Sequence, residues 1–265
     1  MCAQYIEEVL LKDPVVKKHY FRKNCDLKAL HKRCETQNVF LKDCAGIFTM
    51  SEWLAQYIIE RLKVAPEHVH CVNAGAEVDV SKLHPDRHGN KILFVGKDFD
   101  AKGGYLVIEA FKILREKYLK DAELYILGPA VNPIKENVSG IIYKGFIPSE
   151  QLINYYNTCD IFCMPSYAEP FGKVFVEALC CGLPCIGRSV LSMNEIIQHG
   201  VNGYLIDQDD PEILAERMYD LLQNETIKNY VEVHQSEWQK HYSWENVTSQ
   251  IAEIIGRDEY YKTEL

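Results

Sequence analysis

The sequence lacks any apolar run approaching the ~20 residues that a membrane-spanning helix needs. It also lacks the uninterrupted apolar stretch of a secretory signal peptide, because Glu7, Glu8 and Lys12 break up residues 5–12. Membrane-spanning and secreted classes are therefore disfavoured, and we expect a cytoplasmic protein.

The sequence also has too little positive charge for a nucleic-acid-binding protein. Against 38 acidic residues it carries 29 lysines and arginines, which gives a net charge of −9. Binding to a phosphate backbone needs a basic face, so we expect no nucleic-acid partner. An anionic ligand would have to be met by a few local cations rather than by the field of the whole protein.

Metal-binding and nucleotide-cradle motifs are absent as well. The ten cysteines contain no C-x-x-C pair, so we predict reduced thiols and no zinc site. Neither G-x-G-x-x-G nor G-x-x-x-x-G-K-[ST] occurs, which disfavours dinucleotide-dependent dehydrogenases and P-loop NTPases.

A strand–helix alternation fills the C-terminal two thirds of the chain. It predicts strands at 91–96, 123–128, 140–145, 160–164, 183–187 and 203–206, and helices at 105–118, from 149, from 173, at 192–200 with Ser192 as its cap, and at 211–223. Short apolar strands separated by helices imply a parallel sheet, so we predict an α/β, Rossmann-like fold. Ligands of such sheets bind at the carboxyl ends of the strands.

The first ninety residues have a different organisation. Residues 1–42 are highly charged and predict short helices, followed by a strand at 45–50, a helix at 52–62 capped by Ser51, and a strand at 68–72. At the other end of the chain, residues 244–255 predict an amphipathic helix.

The segment EPFGKVFVE at 169–177 contains the most informative chemistry. It places Glu169 in a loop and Glu177 about two turns into the helix that follows. Between the two carboxylates lie the unpaired N–H groups and the positive dipole end of that helix, which favour an anion. A ligand with hydroxyl groups at both ends and phosphate in the middle, such as a nucleotide sugar, fits this arrangement.

With its neighbours, this segment resembles the donor domain of retaining family-4 glycosyltransferases (glycosyl transferases group 1), which have the GT-B fold. Six further motifs follow that family's order over residues 92–205 and just beyond. They are FVGKDFDAKGG at 94–104, LG at 127–128, GFI at 145–147, DIFCMPS at 160–166, NEII at 194–197 and GYLI at 203–206.

The resemblance implies roles for particular residues. The catalytic group comprises Glu169, Lys102 and Lys97: the lysines would hold the diphosphate and Glu169 would contact the sugar. Glu177 would bind the ribose hydroxyls and the backbone of Ile147 the base. The full set implied to bind the donor is Gly96, Lys97, Lys102, Ile147, Phe171, Gly172, Lys173, Val174 and Glu177.

One of these positions departs from the family pattern. The family usually carries arginine where this sequence has Lys97. Lysine keeps the positive charge but loses the two-pronged hydrogen-bonding fork, so we expect weaker donor binding.

The resemblance also divides the chain into three parts. Residues 1–78 would be a remnant of the acceptor-side domain, 79–240 the donor-binding domain, and 241–265 a helix crossing back toward the N-terminal part. The family's first glycine-rich loop has no counterpart here, so we expect a truncated N-terminal domain. A fragment, a truncated reading frame and one half of a split enzyme all remain open.

The implied reaction is transfer of a hexose from a nucleoside-diphosphate sugar to a glycan or lipid-linked acceptor, with retention of configuration. The resemblance implies no cofactor and no metal. It allows peripheral association with a membrane, a role in polysaccharide synthesis, and a separate N-terminal half as partner.

Two other functions compete with this one. A nucleotide-sugar-binding module without catalysis fits the incomplete acceptor side, and a sugar-nucleotide epimerase or a phosphorylase could share the fold. Asp98/Asp100 and Asp207/Asp209 both match the D-x-D metal motif of another transferase fold. We interpret these acids as solvated or turn residues, and we interpret His199 as the C-terminal residue of a helix.

Overall fold

The fold was analysed in a computed structural model that describes residues 3–20, 26–87 and 89–257. The chain separates into two compact units. One comprises Met1–Gly75 together with Lys240–Leu265, and the other comprises Ala76–Gln239.

The Ala76–Gln239 unit is built on a six-stranded parallel sheet. Its strands are β3 (Lys91–Val95), β4 (Glu123–Leu127), β5 (Ile141–Gly145), β6 (Ile161–Cys163), β7 (Cys185–Arg188) and β8 (Gly203–Ile206). Their spatial order is β5-β4-β3-β6-β7-β8. The predicted α/β, Rossmann-like class is confirmed, and every predicted strand of this unit is present within two residues at each end.

The strand sequences account for this sheet. In the central strands β3 and β6, Leu93, Phe94 and Phe162 are completely buried, because helices cover both faces of a parallel sheet. The outer strand β5 is only partly buried along most of its length. Continuous apolar runs therefore mark the middle of the sheet and mixed sequences mark its edge.

The order of the strands determines where a ligand can bind. From β3 the chain adds β4 and β5 on one side, then returns to place β6 on the other side of β3. The loops that follow β3 and β6 thus begin on neighbouring strands at the point where the strand order reverses. In open α/β sheets the crevice at such a point is the usual ligand site.

The helices of this unit mostly match the sequence predictions. They are α5 (Gly104–Lys117), α6 (Ser149–Thr158), α7 (Lys173–Cys180), α8 (Met193–Ile196), α9 (Pro211–Gln223) and α10 (Glu225–His241), whose last two residues belong to the other unit. The sequence analysis did not identify α10. Its many charged and polar residues hide the apolar stripe that buries Ile227 and Val231.

Two predictions around α8 are wrong. The helix ends at Ile196, so His199 is not its C-terminal residue; its ring Nδ1 instead accepts a hydrogen bond from the Leu205 backbone N–H at 3.1 Å. Ser192 occupies the N-cap position, but its hydroxyl donates to the Pro170 carbonyl rather than accepting from the helix. At Ser192 a contact with another loop replaces the local cap, whereas at His199 the helix simply ends earlier than predicted.

The Met1–Gly75 and Lys240–Leu265 unit is mainly helical. It contains α1 (Ala3–Tyr5), continued by a π-helical turn at Ile6–Leu10, then α2 (Pro14–Tyr20), α3 (Leu27–Asp43), α4 (Glu52–Leu62) and α11 (Trp244–Arg257). Its two strands, β1 (Ile47–Thr49) and β2 (Val69–Cys71), pair in parallel. The helical pieces, both strands and the amphipathic C-terminal helix agree with the sequence predictions.

The caps of this unit differ from expectation at one place. Asp26 caps α3 by accepting from the Lys28 and Ala29 backbone N–H groups. Ser51 has the extended backbone of an N-cap residue at the start of α4, but its buried hydroxyl makes no capping bond, so the predicted cap is wrong in its chemistry. The Ser51 backbone carbonyl still accepts from the Ala55 N–H.

Two general features complete the fold. Among the described residues, no helix is both long and apolar enough to cross a lipid bilayer. The eight cysteines in the described ranges are free thiols, as predicted. Burial raises the pKa of Cys159 and of Cys180 to about 12, so these thiols are protonated at neutral pH.

Candidate functional site

A cavity of about 570 Å³ lies at the carboxyl ends of β3 and β6. It therefore occupies the reversal point of the strand order, where the topology favours a ligand. Its walls come from the loop around Glu77, from the loops after β3, β4, β5 and β6, and from the first turn of α6 and the first two turns of α7. The lining residues are Glu77, Val95, Gly96, Lys97, Asp98, Lys102, Leu127, Gly128, Phe146, Ile147, Ser149, Leu152, Met164, Glu169, Lys173, Val174 and Glu177.

The floor of the cavity is shaped by glycines at close backbone approaches. A Cβ atom on Gly96 would lie 2.8 Å from the Lys102 side chain. Gly103 adopts a left-handed conformation with φ of 75°, and a Cβ there would lie 2.4 Å from the Pro165 carbonyl oxygen. Gly103 thus brings the loop after β3 directly against the loop after β6, while Gly96 leaves room for the Lys102 side chain.

Lys102 and Glu169 form an ion pair in this cavity. The Lys102 Nζ atom lies 2.6 Å from Glu169 Oε2, and the side chains are 22% and 11% exposed. A pair this shielded from water interacts more strongly than a surface pair. The arrangement presents an ammonium group to any anion that enters, and it holds the carboxylate at a fixed position.

Glu177 is held by a neutral partner instead. It is buried, and the Tyr156 hydroxyl donates a hydrogen bond to its Oε2 atom at 3.0 Å. Burial raises the pKa of Glu177, whereas the Tyr156 hydrogen bond and the Glu77 backbone N–H lower it by less. One carboxylate oxygen is thereby anchored, and the side chain lines the cavity.

Two further charged side chains stand where the cavity is more open to solvent. The Lys173 ammonium group donates to the Glu77 carboxylate. The Lys97 Nζ atom lies 5.3 Å from the centre of the Phe146 ring, within the range of a cation–π contact. Phe146 is 59% exposed, so an aromatic face and an ammonium group are both accessible to a ligand.

The structure places eight of the ten predicted site residues around this cavity. They are Gly96, Lys97, Lys102, Ile147, Glu169, Lys173, Val174 and Glu177. Phe171 and Gly172 are not part of the lining. Gly172 is the N-cap residue of α7, with φ of 82°, and a Cβ on it would meet the Met193 side chain at 2.2 Å. It shapes the turn rather than the surface.

The two D-x-D matches are engaged within the protein. Asp98 Oδ1 accepts a hydrogen bond from the Ala101 backbone N–H, as the turn interpretation expects. Asp209 lies in an exposed loop after β8, as that interpretation expects, and it also pairs with Arg188. In the described part of the chain, no group of three or more His, Cys, Asp and Glu side chains could hold a metal ion.

Sequence reasoning missed Glu77, Phe146 and Tyr156. A signal existed for Tyr156, because a buried carboxylate needs a donor. The sequence does not reveal which donor reaches it, since Tyr156 lies on α6, 21 residues before Glu177. Phe146 lies in the GFI motif, but only the backbone of Ile147 was given a role there. Glu77 lies in a loop without a distinctive pattern, and only the structure brings it to the cavity.

Comparison with known proteins agrees with this geometry. The family model described as "Glycosyl transferases group 1" matches residues 77–236. An uncharacterized glycosyltransferase of Methanocaldococcus jannaschii is 29% identical over 210 residues, covering 78% of this chain and 58% of that protein. A D-inositol 3-phosphate glycosyltransferase of Corynebacterium efficiens is 25% identical, covering 83% of this chain and 58% of that protein. This chain thus spans a little over half the length of these curated relatives.

Solved structures show the same fold. Anabaena HepE, crystallised with UDP-glucose, has a TM-score of 0.69 and 17% sequence identity, over 85% of this chain and 67% of that chain. The pneumococcal O-GlcNAc transferase GtfA, crystallised with UDP and GlcNAc, has a TM-score of 0.69 and 17% identity, over 86% and 48%. The family match covers more than half of the chain. On the strength of that match, this chain belongs to the glycosyl transferases group 1 family.

Proposed function

We propose that this chain is the donor-binding part of a retaining family-4 glycosyltransferase that uses a nucleoside-diphosphate hexose. The observation that supports the proposal most is the cavity at the strand-order reversal, where three lysines and two buried carboxylates face the same space. The acceptor is a glycan or a lipid-linked sugar. Its binding site needs acceptor-side residues that the donor unit does not supply.

The diphosphate lies against Lys97 and Lys102 and the first turn of α7. Departure of the diphosphate develops negative charge on its oxygens, and fixed cations stabilise that charge. The backbone N–H groups of Lys173 and Val174 belong to the first turn of α7, which has no intrahelical acceptors for them. Phe171 and Gly172 act through the shape of the turn that begins this helix.

The two carboxylates bind opposite ends of the donor. Glu177, whose second oxygen is free of the Tyr156 contact, accepts hydrogen bonds from the ribose hydroxyls, while the backbone of Ile147 and the Phe146 ring meet the base. Glu169 accepts from sugar hydroxyls and stabilises the positive charge that develops on the sugar ring. Lys102 holds Glu169 in this orientation.

Retention is explained by attack from the face that the diphosphate leaves. A bond forms between the acceptor oxygen and the anomeric carbon as the bond from that carbon to the diphosphate oxygen breaks. The acceptor proton passes to the departing phosphate oxygen. Glu169 is engaged by Lys102, so it serves as an electrostatic stabiliser and not as the nucleophile.

A calorimetric and thermal-shift titration with UDP, GDP and ADP tests the donor site. We expect one of the three nucleotides to bind. UDP is the first candidate, because HepE was crystallised with UDP-glucose and GtfA with UDP. A ligand present at about 100 times its dissociation constant adds about 2.7 kcal/mol of stability. Lys102→Ala and Glu177→Ala should each abolish the shift.

Lys112→Ala is the matched control, since Lys112 is an ion-paired lysine on α5 outside this cavity. If no nucleotide binds to a folded chain, or if Lys102→Ala and Glu177→Ala bind as well as Lys112→Ala does, the donor site is wrong. Binding without any transfer to a glycan acceptor, even when the acceptor-side domain of a relative is added, would favour a binding module without catalysis.

A further inference from the structure

A three-residue cluster joins the ends of three neighbouring strands beside the cavity. Tyr167 follows β6, Arg188 ends β7, and Asp209 follows β8. The Arg188 guanidinium carbon lies 4.5 Å from the centre of the Tyr167 ring, and the guanidinium group donates to the Asp209 carboxylate. Asp209 also accepts from the Tyr167 hydroxyl, and burial together with Asp209 raises the pKa of that hydroxyl. We call these residues the Arg188 cluster.

The cluster contacts the segment that carries Glu169. Tyr167 lies two residues before Glu169, and its ring packs on the guanidinium group. On the opposite side, the Tyr167 backbone N–H donates to the Ala101 carbonyl at 3.0 Å. Farther along the segment, the Pro170 carbonyl accepts from Ser192. The loop 164–172 is therefore fixed at successive points on both sides of Glu169.

The burial of Arg188 suggests a purpose other than stability. Its side chain is only 9% exposed, and its Nε atom is buried without a hydrogen-bond partner. A buried charge is expensive, and an apolar side chain of similar volume often stabilises a fold as well or better. The guanidinium group does offer a flat face for Tyr167 and a fork for Asp209, which fixes their relative orientation.

We propose that Arg188 is a positioning residue that holds the loop 164–172 so that Glu169 meets the donor sugar. The proposal rests on the donor site proposed above, and it assigns the Arg188 cluster to recognition of the sugar rather than of the nucleotide. Arg188 and Asp209 are not among the residues that line the cavity, so they act through Tyr167 and the loop.

Hydrogen–deuterium exchange of the unliganded protein tests the positioning role directly. In Arg188→Met, we expect amides of residues 166–172 to exchange about tenfold faster, because the loop loses its support on one side. Arg188→Lys keeps the charge and should restore part of the protection. Asp209→Asn should give an intermediate effect.

Arg217→Met is the matched control for this experiment. Arg217 also stands over a tyrosine ring, at 5.3 Å from the centre of Tyr204, and pairs with Asp220 at 3.3 Å, but it lies on α9 away from the loop. If Arg188→Met leaves the loop as protected as Arg217→Met does, or accelerates exchange evenly throughout the unit, the positioning role is wrong.

Binding of UDP and UDP-glucose gives the second readout. We expect Arg188→Met to bind UDP within about twofold of wild type and to lose about tenfold in affinity for UDP-glucose. An equal loss for both ligands would overturn the assignment to the sugar. If the wild-type chain binds neither ligand, the donor-site proposal fails, whereas the exchange experiment still decides whether Arg188 holds the loop.

Discussion

Two glutamates that line the cavity, Glu169 and Glu177, are held by different kinds of partner. Glu169 is paired with the ammonium group of Lys102, whereas Glu177 is held by the neutral hydroxyl of Tyr156. Burial raises the pKa of Glu177, and the Tyr156 hydrogen bond opposes that shift without cancelling it. The different partners suit these two glutamates, eight positions apart, to the different roles proposed for them.

The largest expected effect comes from removing the charge at the Glu177 end. Glu177→Gln keeps the shape of the side chain but weakens its acceptance of ribose hydrogen bonds, so we expect nucleotide affinity to fall about 10- to 100-fold. Calorimetry with the preferred nucleotide measures this. Equal affinity in wild type and variant would remove Glu177 from the ribose site.

The same variant should respond to pH in a direction that the structure fixes. Burial raises the pKa of Glu177 in the folded state, so the folded state holds its proton at pH values where the unfolded state has lost it. The stability of the unliganded protein therefore falls as pH rises through the interval between these two pKa values. Above that interval Glu177→Gln should be more stable than wild type, as urea unfolding at several pH values would show. A constant stability difference would contradict this.

A smaller effect is expected from the partner of Glu177. Tyr156→Phe removes one hydrogen bond to a buried carboxylate, which costs about 1 kcal/mol in stability. We expect nucleotide affinity to fall about threefold to tenfold, because the carboxylate loses its anchor. Tyr155→Phe on the same helix is the control, and a loss of the same size there would assign the effect to helix packing.

Removing the charge of Glu169 should have the opposite effect, a gain in affinity for nucleoside diphosphate. Glu169→Gln leaves Lys102 without its anionic partner, so the ammonium group is free to bind phosphate. We expect nucleoside diphosphate to bind about threefold to tenfold more tightly and sugar transfer to be lost. Weaker binding of the diphosphate would show that the ion pair orders the phosphate site instead of competing with it.

The smallest expected effect concerns Lys97. Lys97→Arg supplies a two-pronged donor at an exposed position, so we expect about a twofold to threefold gain in diphosphate affinity. Lys112→Arg is the control outside the cavity. If Lys97→Arg does not increase diphosphate affinity, the Lys97 side chain stays against Phe146 when the ligand binds and does not contact phosphate.

Much of this architecture was predictable from the sequence because strands and loops leave local patterns. Apolar runs identified every strand of the larger sheet, and their alternation with helices predicted that the strands are parallel. Since parallel strands share one carboxyl edge, loops distant in sequence could be assigned to one crevice from the order of the strands alone.

What the sequence did not reveal was the set of partners. The Tyr156–Glu177 hydrogen bond, the Lys102–Glu169 ion pair and the Arg188 cluster join residues 21 to 67 positions apart. Such contacts depend on side-chain directions that no local pattern encodes. The same reason explains the error at Ser192, whose hydroxyl donates to Pro170 in another loop instead of capping its own helix.

The close approach at Gly103 has a consequence for how donor preference could change. The loop after β3 touches the loop after β6 through main-chain atoms: Gly103 lies against Pro165, and the Ala101 carbonyl accepts from Tyr167. Larger side chains at these positions would push the two loops apart before they changed which ligand the cavity binds. Laboratory evolution toward binding of a new nucleotide should therefore select substitutions at the solvent-facing rim around Phe146 and leave Gly96 and Gly103 unchanged.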